Sequence, residues 1–287
     1  MILIKGSSTV FHNNLAWAET NQNKKLILDF SDWDWKESFD GILYVHAKEG
    51  VGDQIHHASM LTDLHKIHPH IYVIVDSRLV SLFKRSFPKI NFIGDKENFP
   101  YSSNDYHILF EDLQQHLRPS AYSFKEEPTP YLIPNEDLIK KYSKISTEGI
   151  KIGLSWWSNR KSNSARIIPL EKLSKIIFIP EHDIINLQYE KPLPSLVENI
   201  DLKNDFEGVA ALACSCDIIL TIDNWIAHLA GALGLKTCVM LNENPFWYWM
   251  PKDKDCLWYS NVKLFRQTKA GDWDDVIDNV LKEVQCI

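Results

Sequence analysis

The stretch CDIILTIDNWIAHLAGALG, residues 216–234, predicts a buried β-strand that runs directly into a helix. The apolar strand ends at Asp223, and either Asp223 or Asn224 is suited to cap the helix. Small residues let the helix lie close to a sheet, and Gly234 is the expected C-terminal stop. Free N–H groups at the helix N-terminus favour anions, so we expect a diphosphate site there, with His228 facing the same ligand. A βαβ unit with a capped helix and an incidental histidine is the alternative interpretation.

The same alternation of strand and helix patterns continues on both sides of this stretch. In the second half, strand patterns occur at 150–156, 182–188, 216–223 and 236–242, and helix patterns at 168–177, 205–215, 225–234 and 273–285. In the first half, strand patterns occur at 42–46, 71–76, 90–94 and 106–110, and helix patterns at 54–67 and 77–87. Such alternation predicts parallel sheets built from βαβ crossovers.

Prolines among polar residues separate the two alternating series. Pro128, Pro130 and Pro134 predict a linker. We therefore expect an N-terminal extension (1–41), a first Rossmann-like domain (42–127), a linker (128–149) and a second Rossmann-like domain (150–287). Open parallel sheets bind ligands beyond the carboxyl ends of their strands, which here predicts a cleft between the two domains.

Composition limits the classes of partner. The chain has 287 residues, of which 45% are hydrophobic and 24% charged, as in an ordinary globular protein. Its net charge of −7, with no basic stripe, argues against a nucleic-acid partner. No stretch approaches the ~20 apolar residues that span a bilayer, and the N-terminal sequence has no cleavable signal pattern. We expect a soluble, cytoplasmic protein without a transmembrane segment. Peripheral contact with a membrane is compatible with this prediction.

The five cysteines predict reduced thiols in a cytosolic setting, because their number is odd and their spacing is not that of a small disulfide-bonded domain. Cys214 and Cys216 form a Cys-x-Cys pair, but no second pair of Cys or His follows at the spacing of a zinc site. We interpret both as small core residues.

The stretch 221–234 resembles the signature of glycosyltransferase family 9, the heptosyltransferase-like enzymes, including members fused to tetratricopeptide repeats. That signature places Asp-Thr, two further residues and Ala-His-Leu-Ala-Gly-Ala-Leu-Gly after a strand. This chain matches it at Asp223 and through the Ala-to-Gly run, with Asn224 in place of Thr and Trp225 in place of a generally small residue. The resemblance implies that Asp223, Asn224, Trp225 and His228 bind a nucleotide-sugar donor. The two substitutions, at Asn224 and Trp225, leave the identity of that donor open.

Residues 153–170, GLSWWSNRKSNSARIIPL, resemble the opening of the family's C-terminal domain, in which a Gly-Leu-x-Trp strand leads into a polar, basic loop. A departing nucleoside diphosphate gains negative charge, and a metal-free site needs Lys or Arg beside it. Trp157 stands where the family usually has Arg, and a solvated basic loop is the alternative interpretation. We assign Ser155, Asn159, Lys161 and Arg166 to donor binding. Gln188, at the end of a predicted strand, is a further candidate contact with the nucleoside.

Residues 45–53, VHAKEGVGD, resemble the family's first strand and its Gly-Leu-Gly-Asp turn. Asp53 is therefore the candidate general base that takes the proton of the acceptor hydroxyl, with a helix cap as the alternative role. We assign Gly52 and His56 to the acceptor side. A zinc site that includes His56 and His57 is less favoured because the spacing matches no known ligand set. We expect neither a metal nor another cofactor.

An aromatic segment, NPFWYWMP at 244–251, follows the last predicted strand. Aromatic rings at the carboxyl end of a strand can stack on a base or a sugar ring. Packing between the two domains is the equally favoured alternative.

These motifs occur in family order from residue 42 to about 280, and the resemblance implies the α/β GT-B fold of two Rossmann-like domains. It also implies metal-independent, inverting transfer of a sugar from a nucleoside-diphosphate donor to a hydroxyl of a glycan or lipopolysaccharide-type acceptor. A degenerate, non-catalytic protein that binds a nucleotide sugar or a partner is the alternative, motivated by Asn224, Trp225 and Trp157. A sugar-nucleotide epimerase is less favoured, because its usual run of catalytic carboxylates is not apparent in the sequence.

Overall fold

The computed structural model describes residues 41–98, 105–124, 128–145, 149–159, 165–190, 193, 200–249 and 256–285. Within these ranges the chain forms two parallel β-sheets with helices packed against them. The predicted α/β class with two Rossmann-like sheets is therefore confirmed. Residues 1–40, which hold nearly all of the predicted N-terminal extension, lie outside the described ranges.

The first sheet has four parallel strands in the order β3-β2-β1-β4. They are β1 (Leu43–His46), β2 (Ile71–Val75), β3 (Asn91–Gly94) and β4 (Tyr106–Leu109). The helices in this part of the chain are α1 (Val51–Ala58), α2 (Leu61–Ile67), α3 (Val80–Ser86) and α4 (Leu113–Leu117). The interior strand β1 is buried along its whole length, as expected for a parallel strand that has helices over both faces.

The prediction of one helix over 54–67 is wrong, because the chain leaves the helix at Ser59 and Met60, between α1 and α2. The N–H groups of these two residues donate to carbonyls three positions back, at 3.3 and 3.0 Å, which tightens the end of α1. Apolar residues spaced three apart drift by about 60° per step around an α-helix. The break resets this drift and keeps the apolar series against the core. Its buried members are Ile55, Ala58, Leu61 and Leu64.

The second sheet has five parallel strands in the order β6-β5-β7-β8-β9. They are β5 (Ile150–Ser155), β6 (His182–Asn186), β7 (Ile218–Ile222), β8 (Thr237–Leu241) and β9 (Val262–Arg266). The helices are α5 (Glu136–Ser143), α6 (Ser174–Ile177), α7 (Phe206–Cys214), α8 (Trp225–Leu233) and α9 (Asp274–Val284). Strand β9 was not predicted, since most of its side chains are only half-buried at the sheet edge. In the described part of the chain, no helix has the length and apolar character needed to cross a membrane.

Each sheet changes its winding direction beside its first strand. This switch lies between β1 and β4 in the first sheet and between β5 and β7 in the second. Ligands of open α/β sheets bind beyond the carboxyl ends of the strands at such a point. The loop after β1 leads into α1 and the loop after β7 leads into α8, so both helix N-termini lie at the ligand edges of their sheets.

The predicted linker (128–149) contains a helix, α5, which the sequence analysis missed. Asn135 caps this helix with its side chain, and α5 packs against α7. The N–H groups of Tyr131 and Leu132 both donate to the carbonyl of Ala232, each at 3.0 Å. The segment is therefore docked onto the helices of the second sheet rather than hanging between the two sheets.

Helix α1 of the first sheet packs directly against α8 of the second. A single cluster of buried apolar side chains extends from the first sheet through these helices into the second. Gly52 allows the close approach, because a Cβ at this position would stand 3.1 Å from Trp225 Cα and 3.3 Å from His228 Cδ2. Two helices come this close only where one of them has no side chain at the contact.

The variant Gly52→Ala should lower the free energy of unfolding by about 1–3 kcal/mol, because the added Cβ overpacks the contact with α8. Gly50→Ser is the matched control, since the nearest atom to a Cβ there is Asp53 Oδ2 at 3.5 Å and serine is a favoured N-cap residue. Urea unfolding of both variants measures the difference. Equal stability of the two variants would contradict a tight α1–α8 contact.

Candidate functional site

The N-termini of α1 and α8 meet at a cavity of about 190 Å³. Its wall consists of Gly50, Val51, Gly52, Asp53, Ser158, Arg166, Tyr189, Asp223, Asn224, Trp225, His228 and Tyr248. The residues among these that the sequence predicted for the site are Gly52, Asp53, Arg166, Asp223, Asn224, Trp225 and His228. The fold therefore brings together three sequence motifs, 45–53 from the first half of the chain and 153–170 and 221–234 from the second.

Asn224 fixes the start of α8 with every polar atom of its amide group. Its Oδ1 accepts hydrogen bonds from the N–H of Ile226 at 2.9 Å and from Thr221 Oγ1 at 3.0 Å. Its Nδ2 donates to Ser155 Oγ at 2.9 Å and to the carbonyl of Trp157 at 3.4 Å. The predicted helix cap is confirmed, and the side chain also braces the end of β5 against the end of β7. Contact of Asn224 with a sugar donor stays a prediction.

Gln188 shapes the loop that follows β5. Its Oε1 accepts hydrogen bonds from Ser155 Oγ and from the N–H groups of Trp156 and Trp157, at 3.0, 3.1 and 2.8 Å. Its Nε2 donates to the carbonyl of Tyr189 at 2.8 Å. Gln188 and Ser155 are buried and form a layer beneath the cavity rather than part of its wall. Their direct contact with a nucleoside also stays a prediction.

Arg166 places a buried positive charge at the cavity. Its Nη1 donates to the carbonyl of Asp223 at 2.8 Å, and its Nη2 donates to Ser158 Oγ at 2.7 Å. The Asp223 carboxylate lies 3.9 Å from Nη1 and accepts a hydrogen bond from the hydroxyl of Tyr248 at 3.3 Å. Because Arg166 is only 4% exposed, little water screens its charge from a ligand in the cavity.

Asp53 lies in the first turn of α1 and faces the cavity. The N-cap residue of this helix is Gly50, so the alternative in which Asp53 only caps the helix is not supported. Burial, followed by the nearby carboxylates of Asp223 and Asp53, raises the pKa of Tyr248. The carboxylates of Asp53, in α1, and Asp223, after β7, therefore both act on the phenol of Tyr248. This phenol stays neutral and can donate a hydrogen bond.

His228 stands one turn into α8, on the cavity wall. Its Nδ1 forms a hydrogen bond with the hydroxyl of Tyr259 at 3.0 Å, and its ring stacks on Trp249 with centroids 5.1 Å apart. Burial, reinforced by His57 and Arg166, lowers the pKa of His228 to about 3. The ring is therefore neutral at pH 7.

Two other predicted site residues, His56 and Asn159, are absent from the cavity wall, and a third lies outside the described ranges. His56 lies behind it, 1% exposed, with its ring centroid 4.0 Å from that of Trp258. Asn159 is exposed and lies apart from the cavity wall, and Lys161 falls outside the described ranges. The acceptor role of His56 and the donor roles of Asn159 and Lys161 stay predictions.

Sequence reasoning did not assign Ser158, Tyr189 or Tyr248 to the site, although all three line the cavity. Tyr248 had a signal, since it lies in the aromatic segment at 244–251. Tyr248 reaches the cavity, and its ring also lies 5.0 Å from that of His56 in α1, which supports packing between the two halves. Stacking of this segment on a base or a sugar ring stays a prediction. Over the residues that the structure describes, no group of three or more His, Cys, Asp or Glu side chains could hold a metal ion. A metal-free reaction stays a prediction.

No protein-family sequence model matches the chain. Protein FlbA of Caulobacter vibrioides is 27% identical over 275 residues, which cover 83% of this chain and 45% of that protein. The chain thus spans less than half the length of this relative.

Similar solved structures share the arrangement of both sheets. The glycosyl transferase family 9 protein from Veillonella parvula has a TM-score of 0.56 and 12% identity, covering 88% of this chain and 99% of that one. The E. coli ADP-heptose lipopolysaccharide heptosyltransferase II has a TM-score of 0.57 and 14% identity, covering 85% and 97%. This chain has the fold of glycosyltransferase family 9.

The iron-containing dodecameric glycosyltransferase TibC from enterotoxigenic E. coli has the same fold, with a TM-score of 0.52, 11% identity, and coverage of 84% of this chain and 67% of that one. The GT-B fold that the sequence motifs implied is confirmed. Within this family 9 fold, the cavity lies between Asp53 of the first sheet's α1 and Asp223 at the end of β7.

Stability should fall as the pH drops from about 6.5 to about 4, because buried histidines stay neutral in the folded protein. Burial lowers the pKa of His57 to about 4 and of His228 to about 3, against about 6.5 in an unfolded chain. The unfolded state therefore binds more protons in this window. Each such histidine lowers the free energy of unfolding by about 1.4 kcal/mol per pH unit.

Urea unfolding at several pH values measures this slope, and the variant His57→Gln isolates one contribution. The variant should show a slope smaller by about 1.4 kcal/mol per pH unit. An unchanged slope in His57→Gln would mean that His57 is protonated in the folded state.

Proposed function

We propose that the chain is a glycosyltransferase that moves a sugar from a nucleoside-diphosphate donor to an acceptor hydroxyl, without a metal ion and with inversion at the anomeric carbon. The observation that supports it most is the meeting of two helix N-termini, a buried arginine and Asp53 around one cavity. Helix N-termini and Arg166 suit the charge that a departing diphosphate gains. The family 9 fold adds the expectation of a sugar donor.

In the proposed reaction, the Asp53 carboxylate takes the proton of the acceptor hydroxyl. The acceptor oxygen then forms a bond to the anomeric carbon while the bond from that carbon to the diphosphate oxygen breaks. The electron pair leaves with the nucleoside diphosphate, near the start of α8 and Arg166. We place Lys161 in the same role from the sequence. Attack opposite the leaving group inverts the anomeric configuration.

The preferred donor in this proposal is an ADP-sugar. The E. coli protein of similar fold is an ADP-heptose heptosyltransferase by name, whereas TibC is an iron-containing glycosyltransferase. We propose a glycan or lipopolysaccharide-type hydroxyl as the acceptor. ADP-, GDP-, UDP- and dTDP-sugars form the panel that identifies the donor, since a bound donor raises thermal stability by mass action.

Asp53→Asn should reduce turnover by about 10²–10⁴-fold, because the amide cannot take a proton. Affinity for the nucleotide sugar should change little, since the substitution keeps the size of the side chain. Release of nucleoside diphosphate in the presence of acceptor measures turnover, and calorimetry measures affinity.

Glu49→Gln is the control, because Glu49 is an exposed carboxylate of the same loop and does not line the cavity. It should keep normal turnover. Equal activity of Asp53→Asn and the unmodified chain would remove Asp53 from the mechanism.

A protein that binds a nucleotide sugar without turning it over is the second candidate. Asn224 favours it, because both amide hydrogens are committed to Ser155 and Trp157 and so brace the fold. Trp225 adds to this, since its ring packs against Phe206 with centroids 4.6 Å apart. Binding in the sugar panel with no release of nucleoside diphosphate for any acceptor would select this candidate.

A further inference from the structure

A second cavity, of about 310 Å³, lies at the other end of α1 from the cavity between α1 and α8. The α1–α8 cavity is lined by Asp53, in the first turn of this helix, whereas the second cavity is lined by Ser59, the residue that follows its end. The volume of the second cavity falls in the range of about 300–1,000 Å³ in which proteins bind small molecules. It is therefore large enough for a ligand of its own.

Aromatic side chains line the buried part of the second cavity. Trp258 and Phe87 are 4% and 6% exposed. The ring of Phe124 stands edge-on to that of Trp258, with centroids 4.6 Å apart. Thr62 and Thr129, which also line the cavity, are exposed. A ligand with an apolar face and polar edges matches this division.

Two polar atoms in residues of this wall have no hydrogen-bond partner among the residues that the structure describes. They are Nε1 of Trp258, in the segment before β9, and Oγ of Ser59. Both atoms are buried, and a buried polar group without a partner costs about 1–3 kcal/mol. A ligand that accepts a hydrogen bond from the indole and shares one with the serine hydroxyl would remove this cost.

The charged side chains that line the second cavity are already paired. They are Arg118 and Asp63, whose Nη2 and Oδ2 atoms lie 2.7 Å apart. Nη1 of Arg118 donates to the carbonyl of Leu117 at 2.8 Å. Asp63 also pairs with Lys66, whose exposed charge water and salt screen. A phosphate would have to displace the Asp63 carboxylate from Arg118, so the cavity suits a neutral ligand.

A neutral sugar ring matches these features. Its apolar face can lie against aromatic rings, and its hydroxyl groups both donate and accept hydrogen bonds. We propose that the second cavity binds a sugar residue of the glycan that the chain extends, an inference that rests on the proposed glycosyl transfer. The indole N–H of Trp258 donates to an oxygen of this sugar, and the hydroxyl of Ser59 binds another.

A single ring separates the second cavity from the α1–α8 cavity. The ring centroid of His56 lies 4.0 Å from that of Trp258 and 5.0 Å from that of Tyr248, which lines the α1–α8 cavity. At a rise of about 1.5 Å per residue, Asp53 and Ser59 are about 9 Å apart along the axis of α1. A glycan held in the second cavity therefore stays close to Asp53, which raises its effective concentration there.

Sugar binding is tested on the full chain with methyl hexosides, methyl heptosides and methyl N-acetylhexosaminides. ¹H–¹⁵N spectra of the tryptophan indoles report the contact, and the signal of Trp258 is assigned by its loss in Trp258→Phe. We expect this signal to move downfield as the N–H gains an acceptor. A Trp258 signal that no sugar in the panel shifts would overturn the proposal.

Trp258→Phe keeps an aromatic ring beside His56 and removes the N–H. Affinity for the sugar should therefore fall about three- to ten-fold, as for one lost hydrogen bond. Trp273→Phe is the matched control and should keep the affinity, since Trp273 is a buried tryptophan at the start of α9 that lines neither cavity. Equal losses in both variants would reflect packing alone and would contradict the proposal.

Ser59→Ala tests the opposite side of the proposed contact and is the milder substitution. Because the hydroxyl has no partner in the described chain, its removal should leave the free energy of unfolding unchanged or raise it. Affinity for the sugar should fall about three-fold. Lower stability with unchanged sugar affinity would show a purely structural hydroxyl and would overturn the proposal.

Glycan acceptors connect the bound sugar to the proposed reaction. With such an acceptor, Ser59→Ala should raise KM about three-fold and leave kcat unchanged, because the second cavity takes no part in bond breaking. An unchanged KM would mean that the bound sugar is not part of the acceptor, which overturns the proposal.

The outcomes also separate this proposal from the function on which it rests. Release of nucleoside diphosphate in the presence of acceptor, with no sugar effect at Trp258, would overturn the proposal and leave the transferase function standing. A sugar effect at Trp258 in a chain that transfers no sugar to any acceptor would overturn the transferase function and, with it, the assignment of this sugar to an extended glycan.

Discussion

The packing of α1 against α8 sets how the two halves of the cavity wall are placed relative to each other. Each helix follows a strand at the switch point of its own sheet, so neither sheet alone could form the site. At Gly52 the first helix comes within van der Waals distance of the backbone of Trp225. This contact brings Asp53 of α1 to the same cavity as Asp223, which follows β7, and His228 is buried where the two helices meet.

Around this contact, the polar residues divide into those that hold the framework and those that remain for a ligand. Asn224 and Gln188 use their amide groups on neighbouring strand ends and loops, which costs little because each oxygen and nitrogen of these two amides has a partner. Arg166, Asp53 and His228 line the cavity instead. Because the surroundings have a low dielectric constant, each of these groups interacts more strongly with an opposite charge or a hydrogen-bond partner than it would in water.

Much of this arrangement could be predicted from the sequence. The run from Ile218 to Gly234 has a buried strand, a cap and a glycine stop, and all three are local features that the structure confirms, with Gly234 at φ +76°. Asn224 illustrates the limit: its side chain caps the helix as predicted, yet its bond to Ser155 joins residues far apart in sequence. Sequence spacing cannot show which side chains will be consumed in this way.

Other features depended on tertiary contacts that no local pattern reports. The break between α1 and α2 lacks the glycine or proline that would have marked it. Helix α5 has local signals, a side-chain cap at Asn135 with acidic residues in its first turn and basic residues in its last, but its docking on α7 is a tertiary contact. Tyr259 shows the same limit, because nothing in its neighbourhood along the chain indicates a bond to His228. Buried networks of this kind become visible only when the partners are placed in space.

The single apolar cluster that runs through both sheets has a consequence for recombining this chain with relatives. A protein built from two similar halves invites the exchange of one whole half for that of a relative. Here a cut in the segment before α5 would separate α1 from α8 and leave an uncovered apolar face on each fragment. A chimera must therefore inherit both α1 and α8 from one parent if these apolar faces are to stay covered. The interface between the two helices, rather than either half, is the part that has to be exchanged as a whole.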